Sequence, residues 1–147
     1  MIAILPAGVE HLDQWAQLRH QLWDEDPVAA HRDEAAEQLA DAERFLNLVA
    51  VDDGTVVGFA EASIRHEYVN GCEGSPVVFL EGIFVAPSAR RTGLARQLCA
   101  RVAEWGRARG CAEFASDAWH DDVESHAFHV AAGFVETERV VYFRQEL

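Results

Sequence analysis

Positive charge is scarce in this chain. Of 147 residues, 12 are lysine or arginine against 25 aspartate or glutamate, and the formal net charge is −13. Nucleic-acid binding rests on neutralising phosphates, so this balance disfavours nucleic acid as a partner. A negative field attracts small cations and repels anions, although surface acids also serve solubility alone. Long apolar runs are missing too. No stretch reaches membrane-spanning length, and no charged region followed by a long apolar one opens the N-terminus. A soluble cytoplasmic protein without a membrane partner is therefore expected. Cysteine is limited to Cys72, Cys99 and Cys111, with no C-x-x-C spacing, which argues against a disulfide framework or a zinc site. His120, Asp121, His126 and His129 lie near one another, but no H-E-x-x-H or cysteine supports them as ligands, and no metal is expected. No linker, repeat or low-complexity segment divides the chain. With half its residues hydrophobic, it has the size and composition of one domain with a proper core, spanning residues 1–147.

Periodicity places the elements. Ile2 to Leu5 reads as a short strand. Leu12, Trp15, Leu18 and Leu22 recur at helical spacing to about Trp23, where Asp24-Glu-Asp-Pro27 breaks the pattern. His31 to Arg44 reads as a second, more polar helix. Phe45 to Val51 and Val56 to Arg65 are strands joined at Asp52-Asp-Gly54, a strong hairpin turn. A loop rich in turn formers, Tyr68 to Pro76, leads into the apolar run Val77 to Val85. Leu94, Leu98, Val102 and Trp105 line one face of a third helix that ends near Gly110. Cys111 to Ser116 is a strand, a short helix ends at Gly133, and Phe134 to Thr137 and Arg139 to Arg144 read as two closing strands.

The richest stretch is Val77 to Val85 followed by Ala86-Pro-Ser-Ala-Arg90-Arg-Thr-Gly93-Leu-Ala95. A buried strand stops at Pro87, which cannot continue a ladder. Two arginines, a glycine and a helix start follow. Bare N–H groups at a helix N-terminus and the helix dipole make such a junction an anion site. Gly93 permits close backbone approach, and Arg90 and Arg91 add charge-assisted bonds suited to phosphate oxygens.

Arg90-x-x-Gly93-x-Ala95 after an apolar strand ending Val-x-Pro resembles the acyl-CoA pyrophosphate loop of the GNAT superfamily of N-acetyltransferases. The element order is that of the GNAT fold. The resemblance implies an α/β (α+β) architecture: a mixed, mostly antiparallel sheet of about seven strands flanked by about four helices. It implies acetyl-CoA as co-substrate. The strand edge at Ile83, Phe84 and Val85 would pair with the pantetheine amides, and Arg90, Arg91 and the backbone of Thr92, Gly93, Leu94 and Ala95 would hold the pyrophosphate. Ile83 and Val85 also read simply as core residues.

Trp23, Ser63 to Cys72, Ser75 to Val85, Ala115-Ser-Asp117 and Gly133-Phe-Val-Glu-Thr-Glu138-Arg-Val are similar to aminoglycoside 6′-N-acetyltransferases. By that resemblance Glu81, Asp117 and Glu138, with Trp23 and Tyr68, line a pocket for a polycationic sugar. Carboxylates and an aromatic wall suit such a ligand. A carboxylate inside an apolar strand, as Glu81 is, costs free energy unless paired or functional. Each residue has a plainer reading: Glu81 in a buried salt bridge to an arginine such as Arg65, Asp117 as a capping carboxylate, Glu138 as a solvated strand residue, Trp23 in the helix core stripe.

The chemistry needs a deprotonated amine, so Glu81 or Asp117 is the candidate base. A backbone N–H around Phe84 or Val85 is placed to stabilise the developing oxyanion. Transfer would be direct, in a ternary complex. Many GNAT members carry a tyrosine four residues before the Gly-Phe of the last helix, as proton donor to the CoA thiolate. Here His129 holds that place, reading either as the donor or as a surface helix residue; Tyr142 is another candidate, and departure of the thiolate without a protein acid is a further alternative. The leading expectation is an aminoglycoside 6′-N-acetyltransferase conferring antibiotic resistance, a homodimer by analogy. The alternatives are a protein or polyamine N-acetyltransferase and a non-catalytic acetyl-CoA-binding sensor.

Overall fold

The computed structural model describes residues 1–147. Five strands form one sheet in the order β1 (Ile2–Pro6), β2 (Phe45–Asp52), β3 (Thr55–Arg65), β4 (Val77–Val85) and β5 (Glu113–Ser116). The first four run antiparallel to their neighbours, and β5 lies parallel to β4. The hairpin between β2 and β3 turns at Asp53 and Gly54, both at positive φ, which suits the right-handed twist of the flanking strands.

Helices cover both faces. On one, α1 (Leu12–Leu22) and α2 (Val28–Leu39) bring Leu12, Trp15, Leu18 and Ala35 onto Val49, Val56 and Phe59. On the other, α3 (Leu94–Ala108) lays Leu94, Leu98, Cys99 and Val102 on Leu48, Ala60, Ala62, Val78 and Leu80. Burial pushes the Cys99 thiol up to about 11, so it behaves as a core side chain rather than a reactive thiolate. A fourth helix, α4 (Val123–Ala131), follows β5; the Asp122 carboxylate accepts from the Ser125 N–H at its start.

Two expectations shift. The second helix begins at Val28 and stops at Leu39: Pro27, with its fixed φ and missing N–H, serves as N-cap, three residues before the helical composition becomes obvious. The sheet has five strands, not about seven. Residues after Gly133 join no ladder. Alternating composition supplies strand propensity there, but a strand also needs a neighbour for its backbone groups.

Two irregularities in the sheet shape the functional region. Glu61 pairs with Gly82 while Ala62 pairs with Leu80, so Glu81 is an extra residue, a β-bulge in β4. The pairing of β4 with β5 ends at Leu80 and Ser116. Beyond that fork, the outer edge of β4 from Gly82 to Val85 has no strand beside it.

Candidate acyl-transfer site

The Arg90 turn is held open by its own contacts. Arg90 Nε donates to the Val85 carbonyl at 2.9 Å, and Thr92 Oγ1 donates to the Ala89 carbonyl at 2.7 Å. Arg91 and Gly93 both take left-handed backbone conformations, at φ 64° and 79°. Gly93 then caps α3, its carbonyl accepting from Gln97. The outcome is a row of bare donors: no backbone N–H from Arg91 to Arg96 has an acceptor in the protein. Several adjacent amides without acceptors, at the positive end of a fifteen-residue helix, form an anion cradle. Nothing lies within 4 Å of where a β-carbon on Gly93 would stand, so the cradle is open to a ligand. A cleft of about 180 Å³ runs from this turn past Val85 to Phe128 and Ala132 of the α4 region. Arg96 borders the cleft and is exposed.

At the fork, Glu81 and Asp117 follow directly on the last paired residues, Leu80 and Ser116. Glu81 is half-buried and engaged. Arg65 donates from Nη2 to both carboxylate oxygens at 2.8 and 2.9 Å, and Ser63 Oγ donates at 2.6 Å. Arg65 itself stacks on Phe79, 3.6 Å from the ring centroid. The salt bridge offered as the plainer reading of Glu81 is therefore present, at the rim of the fork. Asp117 is exposed and makes no ion pair or side-chain hydrogen bond within the chain.

Trp23 sits at the end of α1 with its six-membered ring against Gly82, leaving no room for a β-carbon there. It also packs against Phe59, at a centroid distance of 6.1 Å. The core-stripe reading of Trp23 therefore holds, and the side chain stands next to the Glu81 bulge. Tyr68 is 72% exposed, and Glu138 is exposed without a partner. Their two segments meet where Thr137 packs on Gly71. Tyr142 is exposed at 79%.

His129 bridges α4 and β5. Its Nδ1 is 2.7 Å from the Ser125 carbonyl and its Nε2 is 2.7 Å from Ser116 Oγ. A carbonyl only accepts, so Nδ1 carries hydrogen, and Ser116 donates to Nε2 when the ring is neutral. Phe128 and Phe134 flank the ring. Sequence reasoning passed over Ser116, which stands between two named residues, Ala115 and Asp117. It also passed over Glu61. A carboxylate amid Val56 to Ile64 carries the same signal that singled out Glu81.

The loop before β4 has its own anchor. The Glu113 carboxylate accepts from the backbone N–H of Gly74 at 2.8 Å and of Glu73 at 3.0 Å. The Gly74 bond, then the Glu73 bond, holds the Glu113 carboxyl below its ordinary 4.5. Because the folded value lies below the unfolded one, this anchoring is complete above pH 4.5 and is lost as pH falls through the folded value. In an acid titration followed by NMR, the Gly74 and Glu73 amide shifts are expected to move together below that pH. In Glu113→Gln the response should vanish.

The Acetyltransferase (GNAT) family model matches residues 12–134, and the chain belongs to that family. Its relatives narrow the comparison. The aminoglycoside N(6')-acetyltransferase type 1 of Salmonella typhimurium is 51% identical over 135 residues, 92% of each chain. The protein of the same name from Stenotrophomonas maltophilia is 52% identical over 135 residues, 90% of this chain and 86% of that one. Among solved structures, AAC(6')-Iy in complex with the bisubstrate analog CoA-S-monomethyl-acetylneamine matches with a TM-score of 0.93 at 48% identity. That match covers 100% of this chain and 99% of the other.

Proposed function

We propose that this chain is an aminoglycoside 6′-N-acetyltransferase that takes acetyl from acetyl-CoA and confers resistance to the antibiotic. The observation that carries the reading is the run of acceptor-free amides from Arg91 to Arg96, set beside a strand edge that opens next to two carboxylates. The amides suit a pyrophosphate, the unpaired edge of β4 at Ile83, Phe84 and Val85 suits an amide-bearing chain, and the carboxylates suit a polycation.

Acetyl-CoA, when bound, supplies the acetyl group as a thioester. The residues of the chain then divide the remaining work. Thr92, Gly93, Leu94 and Ala95 grip phosphate through their N–H groups, with Arg90 and Arg91 supplying charge. Trp23 and Tyr68 form an aromatic wall for the sugar. Glu81, held by Arg65 and Ser63, orients an ammonium group, as does Glu138. Asp117 has uncommitted lone pairs and takes the proton from the attacking amine, directly or through water. Ser116 hands a proton to the departing sulfur. A protonated His129 recharges it, donating from Nε2 while Nδ1–H stays on the Ser125 carbonyl.

The three expected activities separate in one assay. Release of CoA from acetyl-CoA is measured with kanamycin, spermidine and a peptide in parallel. Turnover with kanamycin alone is expected. Turnover with spermidine or peptide instead would move the chain to the polyamine or protein acetyltransferases. Binding without turnover would make it a sensor.

We also infer a cytoplasmic homodimer. Val141, Tyr142 and Phe143 are exposed at 77%, 79% and 93% in a segment without backbone partners. Apolar side chains beside unpaired backbone favour strand pairing with a second copy. Sedimentation of the full chain is expected to give a dimer, and removing residues 139–147 a monomer; a monomeric full chain would refute this.

A further inference from the structure

Beneath Trp23 lies a buried polar network that the acetyl-transfer reading leaves unused. Glu61 is 1% exposed, and Arg19 and His31 are each 2% exposed. Arg19 Nη1 pairs with Glu61, and its Nη2 pairs with Glu34 at 2.9 Å. Trp15 Nε1 donates to Glu61 at 3.0 Å, and Gln38 Nε2 donates at 3.2 Å. Burial pushes the Glu61 carboxyl above its ordinary value, and Arg19, Trp15 and Gln38 partly offset that. The network then turns outward through His31. Arg19 Nε donates to His31 Nδ1 at 3.4 Å, and His31 Nε2 stands 2.8 Å from the Trp23 carbonyl. A carbonyl only accepts, so His31 donates from Nε2 while its Nδ1 accepts from Arg19. The His31 ring stacks on the indole of Trp23 at 6.4 Å, 21° from parallel, and the Arg19 guanidinium stands 4.9 Å from the indole centroid.

Trp23 is also the residue at which α1 stops, at φ −126° and ψ 90°. Its backbone is therefore no longer held by the helix beyond the bond from its N–H to the Arg19 carbonyl. His31, on the next helix, supplies the hold on the other side of the peptide. Glu61, at the far end of the network, is the β3 partner of Gly82, the residue on which the indole lies.

We infer that His31 is a positioning residue for the acetyl acceptor. It locks the backbone and indole of Trp23 over Gly82, so that the aromatic wall stands ready before the sugar arrives. This rests on Trp23 forming part of the acceptor pocket. Preorganisation of a binding wall acts on affinity for the ligand that touches it and spares the second substrate.

The test is steady-state kinetics with kanamycin and acetyl-CoA. His31→Asn cannot span from Arg19 to the Trp23 carbonyl; His31→Gln places an amide N–H where Nε2–H was. His31→Asn is expected to raise KM for kanamycin about tenfold, with kcat and KM for acetyl-CoA within about twofold. His31→Gln should restore most of the loss. Trp23→Leu should raise the same KM, and adding His31→Asn to it should change nothing more. If Trp23→Leu weakens kanamycin and His31→Asn does not, the inference falls while Trp23 keeps its place in the pocket. If Trp23→Leu has no effect, the pocket assignment itself fails and the inference with it. A comparable rise in KM for acetyl-CoA would show general damage and overturn the positioning role.

Discussion

Gly93→Glu is expected to abolish coenzyme A binding while the protein still folds. Two separate costs arise, one on the fold and one on binding. The backbone at residue 93 is left-handed, at φ 79°, a conformation that costs a residue with a β-carbon roughly 1–2 kcal/mol. The new carboxylate would also stand among the bare amides and compete with the diphosphate for them. A like-charge contact at about 4 Å is worth roughly 4 kcal/mol at the effective dielectric of a protein surface. The repulsion predicts a loss of about a thousandfold in affinity, while the backbone cost falls on the folded protein with or without ligand. The protein itself meets no clash, since nothing stands within 4 Å of the added β-carbon, so the melting temperature should fall by only a few degrees. Isothermal titration of coenzyme A into the variant is the measurement. Heat like that of the unaltered protein would remove the turn from the cofactor site. Gly93→Ala isolates the first cost and is expected to retain measurable binding.

Asp117→Asn is expected to reduce kcat about 10²- to 10⁴-fold, the range of general-base catalysis. Coenzyme A affinity should be unchanged. The assignment turns on a contrast at the fork. Glu81 is engaged by Arg65 and Ser63, whereas Asp117 makes no side-chain bond within the chain. Glu81→Gln should therefore act differently: it breaks the ion pair with Arg65, and under the proposed role of Glu81 its effect should fall mainly on KM for the aminoglycoside. Unchanged kinetics in Asp117→Asn would strike that residue from the mechanism. A kcat collapse in Glu81→Gln alone would transfer the base role there.

Much of this architecture is legible from residue order. The hairpin at Asp52-Asp-Gly54, the stripe Leu94, Leu98 and Val102, and the strand–turn–helix around Gly93 all stand where periodicity and turn chemistry put them. Each is a local signal, set by neighbours in sequence. What stayed hidden is relational. Arg19, His31 and Glu61 lie on three elements, and only packing of α1 and α2 on β3 closes their network. The hydrogen bond between Ser116 and His129 likewise joins a strand to a helix. The two closing strands failed for the opposite reason: their composition is local, but a ladder requires a partner that one chain does not offer them.

The extra residue in β4 has a consequence for how the enzyme can vary. Upstream of it, even-numbered Val78 and Leu80 look toward α3; downstream, odd-numbered Ile83 and Val85 do. Glu81 therefore marks a change of parity in the strand. Deleting that residue would restore strict alternation with Ile83 and Val85 still toward α3 and Phe84 still on the Trp15 side. Glu81 thus occupies the one point of β4 where a residue stands outside the alternation that fixes the core, so a change of length there leaves both layers in place.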